Sequence, residues 1–221
     1  MLVKACAAVK PAGDLFGLLE AVHNFVTAST IRHDKFVSVQ RERGEIVMEL
    51  PLQFESRWVC KLKAVTTFKE RFFSVVPTLQ FFCESKKPRE RVDAKGLLCQ
   101  LMELSFVFML HLSDKILSLT NSLSTYCQSK TATMTTAFTL VSSTRSVLQD
   151  MQSSDSFDKL YCAAISSCAE FGIKVDFNLA LKLMSVRLVL QMMRSVLPFP
   201  RATKKGNAPE RSPQNLKTVL S

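Results

Sequence analysis

Nineteen acidic residues, three histidines and seven cysteines are the side chains from which catalysis or metal binding would have to be built. Metal-assisted hydrolysis needs two or three carboxylates that converge on one point and leave a coordination position open. Glu20, Asp34, Glu55, Glu103, Asp114, Asp150, Asp155 and Asp158 are instead scattered over predicted helix faces and caps, where acids are ordinarily solvated. His23, His33 and His111 stand far from any cysteine pair, so neither a Ser/His/Asp nor a Cys/His nucleophilic set follows from their spacing. Cys6, Cys60, Cys83, Cys99, Cys127, Cys162 and Cys168 form no CxxC pair, and their number is odd. Several fall inside apolar stripes, where Cys behaves as a small hydrophobe. The sequence therefore reads as that of a protein from a reducing compartment, with no disulfide framework, no metal and no cofactor.

Positive charge is the stronger signal. A formal net charge of +10 and a pI near 9.4 suit polyanions such as nucleic acid or an anionic surface, although the same excess also serves solubility. Lys86, Lys87, Arg89 and Arg91 form a basic loop within reach of phosphate, and a charged loop is equally often just a solvated loop. Arg201, Lys204, Lys205, Arg211 and Lys217 are dispersed along the tail rather than gathered into a localisation block, and would add salt-sensitive DNA affinity.

The elements that must position these groups are helices. Hydrophobic residues make up 47% and glycines only 6 positions, which excludes disorder over the whole length and favours helix over sheet. The pattern predicts a helix capped by Asp14 and running to about Ala28, then one opened by Ser29 or Thr30 and stopped by Gly44. Ile46 to Phe54 reads as a short strand, held to an edge by Pro51. A helix follows from Ser56, broken or kinked at Pro77 and continuing to Cys83. A long helical region from about Arg89 to Tyr126 carries a break near His111–Asp114. Helices over Ala132–Met151 and Phe157–Phe171 come next, the second ended by Gly172. From Ile173 onward the chain reads as a basic amphipathic helix and a disordered tail. The opening residues lack the unbroken apolar run of a signal peptide, and Leu97–Leu112 is too short and interrupted to span a bilayer. A soluble, non-secreted protein is expected.

The order of short signatures adds a second line of inference. The chain presents LFGLLEAVHNFVTASTIRHDKF, then ELPLQFESRWVCKLKAV, then AKGLLCQLMELSFVFMLHLSDKILSLTNSLSTYCQ, then TLVSSTRSVLQDMQ and an AEFGI helix end. This succession resembles hAT-superfamily transposase-derived proteins of the zinc finger MYM-type and related domesticated groups. In them an STxRxxxF helix precedes a strand that leads to a TRW motif opening an all-helical insertion. The corresponding residues here are Ser29, Thr30, Arg32 and Phe36, followed by Ser56, Arg57 and Trp58, and the likeness spans residues 12 to 173.

That resemblance implies a mainly α chain, the helical insertion domain of an RNase H-like fold with at most one remnant strand of the catalytic sheet. It divides the chain into a remnant of the catalytic domain (1–55), the insertion domain (56–172) and a basic helix and tail (173–221). Active members hold metal with three acids, the first two on strands expected upstream of residue 1 and the last in a helix after the insertion, where this sequence turns basic. The expectation is a chain that does not cut DNA and is no enzyme, acting as a nuclear, otherwise cytosolic, DNA- or protein-interaction module. A part of an active transposase and a truncated gene remnant are the alternatives. DNA, other proteins or further copies of the chain are the partners implied, with no membrane and no small-molecule ligand. Arg57, Trp58, Lys61 and Arg32 are the expected nucleic-acid contacts. The indole would stack on a displaced base and the cations would meet the backbone. A lone Trp opening an amphipathic helix is also a common core anchor, and a basic residue after an S-T cap is also a common solvated first turn.

Overall fold

Leu15, Leu18, Leu19, Val22, Phe25 and Val26 recur at the spacing of one helix face, and all six are buried on α1 (Lys10–Thr27). The computed structural model describes residues 10–52, 58–151 and 153–174. After α1 come α2 (Thr30–Glu42), α3 (Trp58–Glu70), α4 (Phe72–Cys83), α5 (Pro88–Leu101), α6 (Leu104–Cys127), α7 (Met134–Asp150) and α8 (Ser154–Glu170). The protein is mainly helical, with 80% of the described residues in helices.

The centre of the fold is the first half of α6. Leu104, Phe106, Val107, Phe108, Met109, Leu110 and Leu112 are all buried, and a helix apolar around most of its circumference must lie inside. The helix as a whole packs against α1, α3, α5, α7 and α8. Full burial of each such side chain contributes about 1.5–3 kcal/mol relative to exposure. Around it Phe72 stacks on Phe171 (ring centroids 4.0 Å apart) and on Phe106 (6.4 Å), with Phe68 edge-on to both Phe72 and Phe106. Side chains on α1 and α2 belong to the same buried cluster as those on α3, α4, α5, α6 and α8. Among the described residues no single helix is long and apolar enough to cross a membrane.

Two helix ends follow the sequence closely. Gly44 after α2 and Gly172 after α8 adopt positive φ (69° and 68°), a conformation that costs a side chain with Cβ but not glycine. Each closes a Schellman pair: Glu45 N–H to Gln40 O and Gly44 N–H to Arg41 O, then Ile173 N–H to Cys168 O and Gly172 N–H to Ala169 O. Ser153 caps the start of α8 by accepting from Ser156 N–H.

Four expectations are corrected. First, α1 begins a turn ahead of Asp14, with Pro11 in its first turn, where a missing N–H costs nothing. Second, Ile46–Leu52 is no strand; residues 53 and 54 lie outside the described residues. No neighbouring strand is present among the described residues, and side chains take over the segment's backbone groups. Gln40, 0% exposed, donates from Nε2 to Met48 O (3.1 Å) and accepts from Met48 N–H at Oε1 (2.9 Å). His23 Nδ1 donates to Leu50 O (2.7 Å), which fixes the proton on that nitrogen. Glu45 is held by Arg43 (2.9 Å), Ser74 (2.9 Å) and Arg71 (3.5 Å). Third, the break before Cys83 falls at Arg71 rather than at Pro77, which sits inside α4. The Pro77 ring tolerates helical φ at the loss of one hydrogen bond, whereas Arg71 leaves helical geometry and contacts Glu45 and the Met48 sulfur. Fourth, the long helical region breaks at Met102–Glu103, where α5 and α6 meet at 67°, and is continuous through His111–Asp114. Glu103 is extended at the N-cap of α6, its carboxylate accepting from Ser105 Oγ (3.0 Å).

The boundary expected at 55/56, Ser56 and Arg57 fall outside the described residues, as does the basic helix and tail beyond Lys174.

Candidate nucleic-acid interface

Of the four residues expected to meet nucleic acid, two have described side chains, and the fold places them on different sides of α1. Arg32, near the start of α2, lays its guanidinium over the Phe25 ring (4.4 Å to the centroid). Its Nε lies 3.7 Å from Glu90 Oε1, an ion-pair distance too long for a hydrogen bond, and is buried without a hydrogen-bond partner. Lys61, on α3, is only 6% exposed, with its ammonium over the Phe16 ring (4.2 Å). Phe16 and Phe25 are nine residues apart on one helix, which is about 13 Å of rise and half a turn of azimuth. The two cations therefore share no surface. In this arrangement Lys61 cannot reach a phosphate without leaving its ring; the exposed cation of α3 is Lys63, two positions on. Trp58 supplies the first residue of α3, and Arg57 precedes the described part of that helix.

Arg32 does line a groove. Together with Ala21 and Phe25 of α1 and Val92, Asp93, Gly96, Leu97 and Gln100 of α5, it borders an open depression of about 490 Å³. The rim of this groove leads to the corner between α4 and α5. There the sequence SKKPRER folds as its composition dictates: Lys87 is extended at the N-cap and Pro88 takes the first helical position. Ser85 ties the corner together. Its hydroxyl donates to Glu90 Oε2 (2.6 Å) and accepts from Lys87 N–H (3.3 Å), while Arg91 Nη1 donates to its carbonyl (3.4 Å). The result is a fixed scaffold from which Lys86, Lys87, Arg89, Arg91 and Lys95 all project as exposed residues. Lys86, Lys87, Arg89 and Arg91 flank the N-terminal end of α5, whose unpaired N–H groups add their own partial positive charge, and Lys95 lies two turns farther along the helix. Three acids, Glu84, Glu90 and Asp93, lie in the same segment; Glu90 is occupied by Ser85 and Arg32, while Glu84 and Asp93 are exposed. Cations held this way can meet the oxygens of a phosphate chain.

Sequence reasoning saw the loop but missed Lys95 and the convergence on one helix end. The signal was available in Pro88, which marks a helix start and so places Lys86 and Lys87 just before the first turn and Arg89 and Arg91 within it.

A second polar contact was not legible at all. His111 Nε2 on α6 lies 2.9 Å from Ser167 Oγ on α8, 56 residues apart in the chain. Burial pushes the imidazole pKa below its ordinary value and Lys69 adds to this, against smaller opposing effects of Asp114 and Glu170. A neutral His beside a Ser is the beginning of a nucleophilic pair. Asp114, one turn along α6, is however taken up by Thr66 (3.0 Å) and Lys69 (3.0 Å), so it does not orient the ring. The contact works as a tie between α6 and α8. Among the described residues no three His, Cys, Asp or Glu side chains gather where a metal ion could be held.

No family model, no curated protein and no solved structure matches this chain.

Proposed function

We propose that the chain is a hAT transposase-derived helical module, nuclear in setting, that binds DNA through phosphate contacts at the α4–α5 corner and does not cut it. The order of the STxRxxxF, RW and helical signatures supports the derivation; of the mainly α chain with at most one remnant strand that it implies, the described residues share the helical character. The observation that carries the binding is the exposure of Lys86, Lys87, Arg89 and Arg91 around the positive end of α5, with exposed Lys95 two turns along it. Phosphate contacts of this kind position a protein without reading sequence, so the affinity is expected to be sequence-tolerant. Arg57 and Trp58 keep the backbone and stacking roles that the resemblance gives them.

The test is fluorescence anisotropy of the full chain with duplex DNA over a salt series. Each neutralised phosphate contributes about −0.9 to the slope of log K against log salt, so use of all five cations gives a slope of roughly −4 to −5. The triple variant Lys86→Glu, Lys87→Glu and Arg89→Glu should flatten that slope by about 3. No binding at low salt, or an unchanged slope in the variant, would remove the corner as the interface. Magnesium- or manganese-dependent nicking by the purified chain, lost on chelation, would overturn the non-cutting part.

A further inference from the structure

The groove between α1 and α5 joins the basic corner along one stripe of α5. Arg89, Asp93, Gly96 and Gln100 stand at the spacing of a single helix face, and the last three border the groove. Across from them Arg32 holds its guanidinium over the buried Phe25 ring, with the side chain 16% exposed and its buried Nε matched by no acceptor among the described residues. Glycine inside a helix costs about 1 kcal/mol relative to alanine. At Gly96 an added Cβ would meet nothing within 4 Å, so packing does not demand the glycine, and the missing side chain leaves the groove open. The Gln100 amide spends its Nε2 on Gly96 O (3.1 Å), so what it offers a ligand is its oxygen.

A volume of about 490 Å³ falls within the roughly 300–1,000 Å³ of small-ligand sites. The depression is open, however, and would hold a free molecule weakly; it suits a group tethered to something bound beside it, for which the second contact is intramolecular. Charge divides the two places. An anion entering the groove would meet Asp93, whereas one turn earlier Arg89 begins the cluster with Lys86, Lys87 and Arg91 that suits phosphate. The group in the groove is therefore uncharged and joined to a phosphate chain. It presents a flat face to the guanidinium and N–H donors to Asp93 and the Gln100 oxygen, which describes a nucleobase with an exocyclic amino group. Arg89 and Gly96 are about 10 Å apart along the helix axis, a gap that one sugar–phosphate and a flexible Arg stem cover. In a duplex the base is stacked on both faces and its edge is paired, so only an unpaired base fits. We infer that the α1–α5 groove receives one unstacked base of a single-stranded nucleic acid whose phosphates lie on the α4–α5 corner. The inference rests on the phosphate-binding reading above and adds to it the state of the strand.

The test compares the full wild-type chain with Gly96→Leu, which fills the groove, by anisotropy on one labelled mixed-sequence oligonucleotide, single-stranded and as a duplex. Comparing variant with wild type on each form cancels the difference in charge density between the two. Gly96→Leu should weaken single-strand binding about tenfold, the worth of one stacked base, and leave duplex affinity and its salt slope within about twofold. Its urea midpoint should hold or rise, because leucine is the better helix former and the site has room. Single-strand affinity unchanged in the variant, or an equal loss on both forms, would overturn the inference while wild-type duplex binding with its salt slope kept the corner intact. Failure of the wild type to bind either form at low salt would remove the corner and this inference together. Unlabelled deoxyadenosine monophosphate should displace the strand far less well than an oligoadenylate at equal nucleotide concentration. Equal displacement would assign the groove to a free nucleotide and overturn the single-strand assignment.

Discussion

The two halves of α6 belong to one continuous helix yet live in opposite surroundings. From Leu104 to Leu112 seven of the nine side chains are buried, ringed by Phe68, Phe72 and Phe171 and flanked by α1, α3, α5 and α8. From Ser118 to Cys127 the helix has α7 on one side and solvent on the other. Backbone geometry is the same in both, so the difference is one of packing alone. It shows that helical stability here comes from tertiary contacts in the body and has little such support in the α6–α7 hairpin.

The contrast can be broken most directly by truncating one aromatic ring in each region. Phe72→Ala should cost about 3–5 kcal/mol, since it leaves a cavity among three other rings. Phe138→Ala, at an exposed position near the hairpin tip, should change stability by less than about 0.5 kcal/mol. Urea unfolding of the two variants reads both, and equal losses would erase the distinction between body and hairpin.

A polar substitution in the body sharpens the comparison. Gln40→Ala strips the N–H and carbonyl of Met48 of their partner in a buried setting, with an expected cost of about 1–3 kcal/mol. Hydrogen exchange should then show early opening of residues 45–50 while α6 stays protected. Retained protection at Met48 would mean that the flanking contacts suffice without the amide.

The smallest effect concerns acid. Burial would raise the Glu45 pKa, but hydrogen bonds from Arg43 and Ser74 and the charges of Arg43 and Arg71 outweigh it and hold the carboxyl below its ordinary value. A carboxylate with a lowered folded pKa binds fewer protons folded than unfolded. Its stabilisation is therefore present above the ordinary Glu pKa and is lost as pH falls through the lowered one. Glu45→Gln should flatten the decline of the urea midpoint across that acid window and leave its behaviour nearer neutrality alone. An unchanged decline would show that other carboxylates govern acid unfolding.

Much of the helical body is legible from local pattern. Leu15 to Val26 declare a buried face by spacing, and Ser153, Gly44 and Gly172 declare helix ends by their backbone chemistry. The strand misreading over Ile46–Leu52 has a definite origin. Ile46, Val47, Met48 and Leu50 carry a strand's composition, while the contact that decides the outcome comes from a side-chain amide eight residues before Met48, with no local signature. The break at Met102–Glu103 escaped for the converse reason: both residues are good helix formers, and only the packing of α6 turns the chain there. In the candidate interface, residue type showed which side chains were cationic but not which way they point. Lys61 belongs to the core because its long aliphatic stem packs as a hydrophobe and its ammonium finds a ring.

The grip of Gln40 on Met48 fastens a peptide at a point, where a sheet would fasten it along a line. A ladder of paired strands fixes register, so one inserted residue moves every side chain beyond it to the wrong face. A single amide imposes no such bookkeeping. Chain added or lost beyond this segment would leave the two hydrogen bonds at Met48 where they are.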